Sequence, residues 1–186
     1  MPLHFADRLN NVETSAIREL FKLLGKPGIV SFAGGFPDPA MFDVAGIQEA
    51  SNKALTEEPG GALQYGATEG YGPLREQLSA FMATKGAKDV APENLIVTTG
   101  SQQALDLLGK TMISPGDKVI VEGPTFLATI QCFRLYGAEL ISAPIDAHGV
   151  KTDELEKLIA QHKPKFVYLI PTFGNPSGEG GGASPK

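Results

Sequence analysis

The stretch of sequence that decides the fold is Lys118-Val119-Ile120-Val121-Glu122-Gly123-Pro124-Thr125-Phe126. A strand is predicted over residues 118–121, because the Val-Ile-Val run is apolar on both faces of an extended chain. Gly123 and Pro124 are typical of a turn after such a strand. A helix is predicted from about Phe126 to Tyr136, ended by Gly137. The stretch therefore has the order strand, turn, helix.

The same alternation of strands and helices continues on both sides of this stretch. The other predicted strands are 95–97, 139–141 and 165–170, and the other predicted helices are 15–24, 44–55, about 72–85, 101–112 and 153–161, the last capped by Thr152. Residues 31–42 and 59–68 are predicted loops, because they are rich in Gly and Pro. We therefore expect an α/β fold in which helices cover a mostly parallel sheet.

Composition limits the classes of function. The 186 residues, of which 42% are hydrophobic and 20% charged, are enough for a sizeable core. A net charge of −5 without a basic cluster argues against a nucleic-acid partner. The amino terminus has no signal-peptide pattern, and no run of about 18 apolar residues predicts a membrane span. We expect a cytoplasmic protein.

The metal-ligating and nucleophilic residue types give little indication of a site. Cys132 is the only cysteine, so it cannot form an internal disulfide, and it is expected to be a small core residue. The histidines His4, His148 and His162 lack the spacing of metal ligands. No metal site is predicted.

Ligands of a parallel sheet bind beyond the carboxyl ends of its strands, and three segments there carry suitable groups. Thr98-Thr99-Gly100-Ser101-Gln102-Gln103 opens a helix, whose free amides suit a phosphate group, although Ser101 could simply be the helix cap. Phe126 could stack on a flat cofactor or belong to the core. Gly174-Asn175-Pro176-Ser177-Gly178 is either an ordinary turn or the place from which the Asn175 amide reaches a cofactor ring.

Taken together and in order, TTGSQQALDLL, EGPTF and IPTFGNPSG resemble the large domain of fold-type-I pyridoxal-phosphate aminotransferases. The upstream segments IREL, PGIVSFAGGFPDP and LQYGATEGYGPLRE resemble the branch with 2-aminoadipate and broad-specificity aminotransferases. The resemblance covers nearly the whole chain, from Ser15 to Gly178. It implies an enzyme of amino acid metabolism that uses pyridoxal 5′-phosphate to transfer an amino group from an amino acid to a 2-oxo acid.

The resemblance assigns cofactor contacts to the three segments. It implies that Gly100, Ser101 and Gln102 hold the cofactor phosphate. Phe126 would stack on the pyridine ring, and Asn175 would donate a hydrogen bond to the phenolic oxygen of the ring while also lining the substrate site. A planar, electron-poor ring accepts the electrons that are released when the α-proton of the substrate leaves.

Three further positions correspond to family residues outside these segments. Tyr65 matches the residue that reaches the cofactor phosphate of the neighbouring subunit, which implies a homodimer; otherwise Tyr65 is a surface aromatic. Gly35 matches the loop that approaches the substrate carboxylate, or is simply a turn glycine. Arg18 matches the helix that reads the substrate side chain, where a guanidinium suits a distal carboxylate, although a solvated helix face explains it equally well.

The sequence departs from the family pattern at its carboxyl end. The Schiff-base lysine, the Asp at the pyridine nitrogen and the Arg for the α-carboxylate follow the Asn-Pro turn in the family, whereas this chain continues only to Lys186. No catalytic lysine is therefore assigned, and the expectation is the amino-terminal half of an aminotransferase that has no turnover alone. A complementing carboxyl-terminal polypeptide is one expected partner.

The same departure leaves the domain limits and the function class as expectations. The predicted organisation is an amino-terminal arm and small-domain segment over 1–43, an incomplete cofactor-binding domain over 44–178, and a flexible Gly-rich tail over 179–186. The alternatives to an aminotransferase are a non-catalytic cofactor-binding or interaction protein of the same fold, and a related pyridoxal-phosphate lyase.

Overall fold

A computed structural model describes residues 4–9 and 37–178 of the chain. The chain divides into two compact units, one formed by Met1–Glu13 with Thr98–Lys186 and the other by Thr14–Val97. We call residues 98–178 the sheet unit and residues 37–97 the helical unit. The predicted helix over 15–24 lies outside the described residues, and the predicted domain limits stay a prediction.

The helical unit is built from three α-helices, α1 (Val44–Glu57), α2 (Pro59–Leu63) and α3 (Gly72–Thr84), with short 3-10 turns at Pro39–Met41 and Pro92–Asn94. The Asp43 side chain caps α1 by accepting a hydrogen bond from the Gly46 amide at 2.9 Å. Prolines occupy the first turns of α2 and α3, where a missing amide hydrogen costs nothing. None of these three helices contains a buried residue.

The sheet unit alternates helices with strands, as the sequence predicts. Its described elements are α4 (Ser101–Met112), β1 (Lys118–Gly123), α5 (Leu127–Leu135), β2 (Glu139–Asp146), β3 (Gly149–Val150), α6 (Thr152–His162) and β4 (Phe166–Tyr168). The strand order is β3-β2-β1-β4. β1 pairs in parallel with both β2 and β4, and the short β3 pairs antiparallel with β2. The prediction of a mostly parallel, helix-covered sheet is confirmed.

The core of the sheet unit lies between β1, β4 and the helices α4 and α5. Phe133 of α5 is fully buried and meets Phe166 and Tyr168 of β4 edge to face, with ring centroids 5.5 and 5.9 Å apart. Val119 and Val121 project from β1 into the same cluster. Because side chains alternate along a strand, the fully buried Ile120 faces the opposite side of the sheet.

Short connections fix the amino ends of the strands. The Asp117 carboxylate accepts a hydrogen bond from the Ser114 amide at 2.8 Å, and the Gly116 amide donates to the Gly137 carbonyl at 2.8 Å. Gly116 has φ +87°, which a glycine adopts without strain. These bonds hold the end of α4 beside the start of β1, so the beginning of α4 lies toward the carboxyl ends of the strands.

Three predictions about local structure are wrong. Leu95–Val97 forms no strand, because the Leu95 amide bonds the Pro92 carbonyl, the Val97 amide bonds the Glu69 carbonyl, and no described strand pairs with the segment. The predicted loop over 59–68 contains α2, since Pro59 starts a helical turn that the two following glycines do not prevent. Thr152 does not cap α6: it is the first helical residue, Lys151 is the cap, and no side chain bonds the helix end.

Within the described ranges, no helix is both long and apolar enough to cross a membrane. In the same part of the chain, no group of three or more His, Cys, Asp or Glu side chains is placed to hold a metal ion. Cys132 is a buried, free cysteine in α5, and burial raises the pKa of its thiol. A thiol with a raised pKa is a poor nucleophile at neutral pH.

Candidate functional site

The candidate site lies at the carboxyl edge of the sheet, where β1 and β4 end side by side. These two strands are parallel neighbours, with Val121 opposite Tyr168. Chains that leave neighbouring parallel strands emerge at the same edge, where ligands of open α/β sheets bind. The segment after β1 carries Phe126, and the segment after β4 carries Asn175. The topology thus brings together two of the three predicted segments.

The third segment is the amino end of α4. Gly100 is the cap residue of this helix, with φ +85° and ψ 172°, and no side chain caps the helix. No described residue accepts a hydrogen bond from the Ser101 or Gln102 amide, and both side chains are exposed. Free amides at the positive end of a helix dipole form an anion site. The interpretation of Ser101 as an ordinary cap is wrong, because Ser101 is the first helical residue.

Side chains around this helix start hold the turn without occupying those amides. The Gln103 Oε1 atom accepts hydrogen bonds from the Thr99 amide at 2.6 Å and from the Thr99 hydroxyl at 2.9 Å. The Thr98 hydroxyl donates to the Gly100 carbonyl at 3.1 Å. Gly100 itself has open space where a Cβ atom would stand. The Gln103 and Thr98 side chains therefore hold the turn, while the Ser101 and Gln102 amides have no described partner.

Sequence reasoning gave no role to Gln103. A capping box pairs a cap residue with a Glu or Gln three positions later, and the signal here is one residue longer, from Thr99 to Gln103. With this spacing, the Gln103 side-chain oxygen bonds Thr99, the residue before the cap Gly100. A Thr four positions before a Gln at a glycine-capped helix start is the pattern that would have predicted this contact.

Packing of α4 against α5 fixes the direction in which the amino end of α4 points. Gly109 of α4 sits against the Tyr136 ring so closely that an added Cβ would overlap it. The Tyr136 hydroxyl donates to the Asp106 carboxylate at 2.7 Å, and this bond raises the pKa of Tyr136. A close backbone approach and a hydrogen bond thus attach the middle of α4 to the residue that follows α5.

Phe126 stands at the start of α5 and is half-buried. Its carbonyl accepts the Thr129 amide at 3.1 Å, so the residue is held by the first turn of the helix. The neighbouring Thr125 is buried, and its hydroxyl has no hydrogen-bond partner among the described residues. Phe126 does not belong to the buried core cluster of the sheet unit. The core alternative for Phe126 is therefore not supported.

Asn175 lies in a turn closed by a hydrogen bond from the Gly178 amide to the Gly174 carbonyl. Asn175 is exposed while Gly174 beneath it is buried. The chain leading to this turn is attached to β1 by the buried Glu122, whose carboxylate accepts the Ile170 amide at 2.9 Å. The sequence alone assigned no role to Glu122, although a charged residue at the end of a predicted buried strand is a signal for one.

Of the remaining predicted site residues, the structure describes only Tyr65. Tyr65 is in the helical unit directly after α2, is 99% exposed, and donates its amide to the side-chain oxygen of Gln64 at 2.8 Å. Exposure of this extent is consistent with both alternatives for Tyr65, a surface aromatic and a contact to another chain. Gly35 and Arg18 lie outside the described residues.

The chain is similar to known aminotransferases over most of its length. The chain is 42% identical to a 2-aminoadipate transaminase of Thermus thermophilus, over 94% of this chain and 42% of that protein. It is 40% identical to an aromatic-amino-acid aminotransferase of Thermococcus litoralis, over 94% of this chain and 43% of that protein. The chain thus spans less than half the length of these relatives.

A solved structure gives the same result for the fold. The crystal structure of an alpha-aminoadipate aminotransferase from Thermus thermophilus, complexed with N-(5′-phosphopyridoxyl)-L-leucine, superposes with a TM-score of 0.81 at 41% identity. The match covers 95% of this chain and 43% of that one. Residues 33–179 match the family of class I and II aminotransferases. The chain belongs to this family, whose cofactor is pyridoxal phosphate.

Proposed function

We propose that the carboxyl edge of the sheet unit binds pyridoxal 5′-phosphate, and that the protein transfers an amino group from an amino acid to a 2-oxo acid. The observation that carries the proposal is the meeting of two family segments, after β1 and after β4, at one edge of a parallel sheet. The family match over residues 33–179 supplies the reaction class.

The amino end of α4 suits the phosphate of this cofactor. The exposed amides of Ser101 and Gln102 are donors without a described partner, and the helix dipole favours a dianion there. The Ser101 hydroxyl and the Gln102 side-chain amide add two further donors. Gly100 suits a close approach, because no Cβ stands between the turn and a bound group.

Phe126 and Asn175 would orient the ring. Phe126 is half-buried, so part of its side chain remains accessible for stacking, and the exposed Asn175 side chain can donate to a ring oxygen. When bound, the cofactor supplies an electron-poor ring that takes up the electron pair released with the substrate α-proton. Phe126 and Asn175 would keep that ring flat, fixed and oriented.

The proposed substrate and subunit contacts involve Tyr65, Gly35 and Arg18, which precede the sheet unit in the sequence. We propose that Tyr65 reaches the cofactor phosphate of a second copy in a homodimer, which agrees with its 99% exposure. Gly35 would leave room for the substrate carboxylate, and Arg18 would pair with a distal carboxylate such as that of 2-aminoadipate. In a complete enzyme, Arg18→Ala should then lower the preference for 2-aminoadipate over leucine. An unchanged preference would contradict the specificity role.

Titration of the chain with pyridoxal 5′-phosphate, followed by its absorbance, tests the proposal. Ser101→Asp should weaken binding by about 100-fold, because a like charge beside the phosphate costs several kcal/mol. The same change places a carboxylate in the first turn of α4, which stabilises a helix, so lost binding is separable from lost folding.

Asn175→Ala should weaken cofactor binding by about tenfold, the worth of one hydrogen bond of roughly 1.4 kcal/mol. Asn52→Ala, on the exposed surface of α1, is the matched control and should change nothing. A wild-type chain that binds inorganic phosphate but not pyridoxal phosphate would contradict the ring contacts. The expectation that these 186 residues alone have no turnover stays a prediction, which the same preparations test on addition of an amino acid.

A further inference from the structure

Glu122 is a buried carboxylate whose position needs explanation. It lies at the carboxyl end of β1 and is only 8% exposed. No Lys, Arg or His of the described residues lies within ion-pair distance of it. A buried carboxylate without a cation is costly unless hydrogen bonds satisfy it, whereas an apolar residue would fit the end of a buried strand at no such cost.

The hydrogen bond that Glu122 makes joins the two walls of the site. Its Oε2 atom accepts the main-chain amide of Ile170 at 2.9 Å, across 48 positions of sequence. Main-chain pairing of β1 with β4 stops at Val121 and Tyr168. Two residues beyond that point, a side chain rather than the main chain of β1 holds the departing chain.

The two ends of this bond are close in sequence to the predicted ring contacts. Phe126 follows Glu122 by four residues, and Asn175 follows Ile170 by five. We propose that Glu122 is a positioning residue that fixes the segment 170–178 against β1, so that Asn175 and Phe126 face one ligand. The proposal rests on the proposed function of the site. Glu122 acts through the Ile170 amide and does not itself touch the cofactor.

Hydrogen exchange in the absence of cofactor tests the positioning directly. Glu122→Met keeps a similar volume but offers no oxygen acceptor, and it should speed exchange of the Ile170 amide, which loses its acceptor, and of the Gly178 amide, which closes the Asn175 turn, by about tenfold or more. The amides of β1 and α5 should keep their protection. Glu122→Gln retains an acceptor oxygen and should restore slow exchange. Glu139→Ala, on the neighbouring strand with an exposed side chain, is the matched control.

A double-mutant cycle with Asn175→Ala then links the positioning to the ligand. If Glu122 acts only by placing Asn175, Glu122→Met and Asn175→Ala should each weaken pyridoxal phosphate binding by about tenfold, and the double variant should be no weaker than either. Affinity for inorganic phosphate, which has no ring, should stay at the wild-type value in all three. Additive losses, or an equal loss of phosphate affinity, would overturn the proposal.

The two proposals fail in different ways. A wild-type chain that does not bind pyridoxal phosphate contradicts the proposed function, while the exchange experiment still decides the role of Glu122. Unchanged exchange of 170–178 in Glu122→Met contradicts the positioning role, whatever the chain binds. If the Met variant does not fold, Glu122→Ala replaces it, and faster exchange in Glu122→Ala with slow exchange in Glu122→Gln supports the same conclusion.

Discussion

The sheet unit and the helical unit bury their apolar residues to very different extents. All of the fully or nearly buried apolar side chains among the described residues belong to the sheet unit, with Phe133, Val119 and Ile120 at its centre. In the helical unit, none of the three helices has a buried residue, although α1 is amphipathic. Large apolar side chains remain exposed there, among them Met41, Phe42, Val44, Ile47, Leu63 and Phe81.

The difference shows which part of the chain carries its own stability. The sheet unit has its own core, which surrounds β1 and includes three packed aromatic rings, and this core explains the stability of the unit. An amphipathic helix gains most of its stability from the surface that covers its apolar face. We therefore expect the same substitution to have a large effect in the sheet unit and a small one in the helical unit.

Removal of a phenylalanine ring is the strongest test of this comparison. Phe133→Ala should lower the free energy of unfolding by about 3–5 kcal/mol, because it leaves a cavity among fully packed rings. Phe81→Ala, at a ring that is 58% exposed in α3, should change it by no more than about 0.5 kcal/mol. Urea unfolding followed by circular dichroism measures both. Equal losses of unfolding free energy in the two variants would contradict the difference between the two units.

Adding a methyl group is the converse test. Gly109→Ala should cost about 1–3 kcal/mol, because the new Cβ would overlap the Tyr136 ring. Gly60→Ala in α2 meets no atom within 4 Å and should stabilise the helix by about 0.5–1 kcal/mol. Thermal and urea unfolding of the two variants should give opposite signs, and a tolerated Gly109→Ala would show that α4 and α5 can separate without cost.

The residues that end two helices provide a smaller, matched pair. Lys163 ends α6 in the left-handed region, with φ +48°, so Lys163→Gly should raise stability by about 1 kcal/mol. Lys85 ends α3 with φ −96°, where glycine relieves no strain, and Lys85→Gly should give no gain. The chain offers the same substitution in both units, so a gain at Lys85 equal to that at Lys163 would contradict the conformational explanation.

A tyrosine bonded to a carboxylate occurs in each unit and should make stability depend on alkaline pH. The bond to Asp106 raises the pKa of Tyr136, and the bond to Glu58, at 3.0 Å, raises that of Tyr71. A raised pKa in the folded state means a contribution that is present below the unfolded pKa of about 10 and is lost as pH rises through the folded pKa.

Replacement of each hydroxyl measures that contribution. Tyr136→Phe should be less stable than wild type at pH 8, and the gap should narrow as pH rises above 10. Tyr71→Phe should show the same trend more weakly, because Tyr71 is exposed and water competes for its bond. Urea midpoints across the alkaline range are the measurement. If the stability difference between wild type and Tyr136→Phe widened as pH rises, the direction assigned to the Tyr136 pKa shift would be wrong.

The sequence was most informative where local signals and tertiary packing agree. The bounds predicted for α4, 101–112, are those observed, because its apolar positions, its glycine cap and the turn after it all favour the same helix. β1 and β2 extend beyond their predicted ends, since pairing with each other continues the strand geometry through Gly123 and Pro144. The sequence thus predicted where β1 and β2 begin, whereas their carboxyl ends depend on pairing that the local pattern does not show.

The failures share a physical cause, which is that the deciding contact is distant in sequence or is made by a side chain. Residues 95–97 have a strand pattern, but no described strand pairs with them. The two-residue strand β3 forms by antiparallel pairing with β2, and two residues are too few to show an alternating pattern in the sequence. In the site, the motifs pointed to Phe126 and Asn175, while two side-chain bonds become visible only in three dimensions. Gln103 holds the turn before α4, and Glu122 holds the chain that leads to Asn175.

A hydrogen-exchange footprint of the chain with and without pyridoxal 5′-phosphate tests the proposed cofactor site most directly. Slower exchange is expected at three separate places, the amides of residues 101–103 and the amides around Phe126 and Asn175, with the helical unit's α1 unchanged. Ser101→Asp should abolish all three effects together. Protection confined to other parts of the sheet, or no protection at a concentration that saturates the absorbance change, would contradict a cofactor site at this edge.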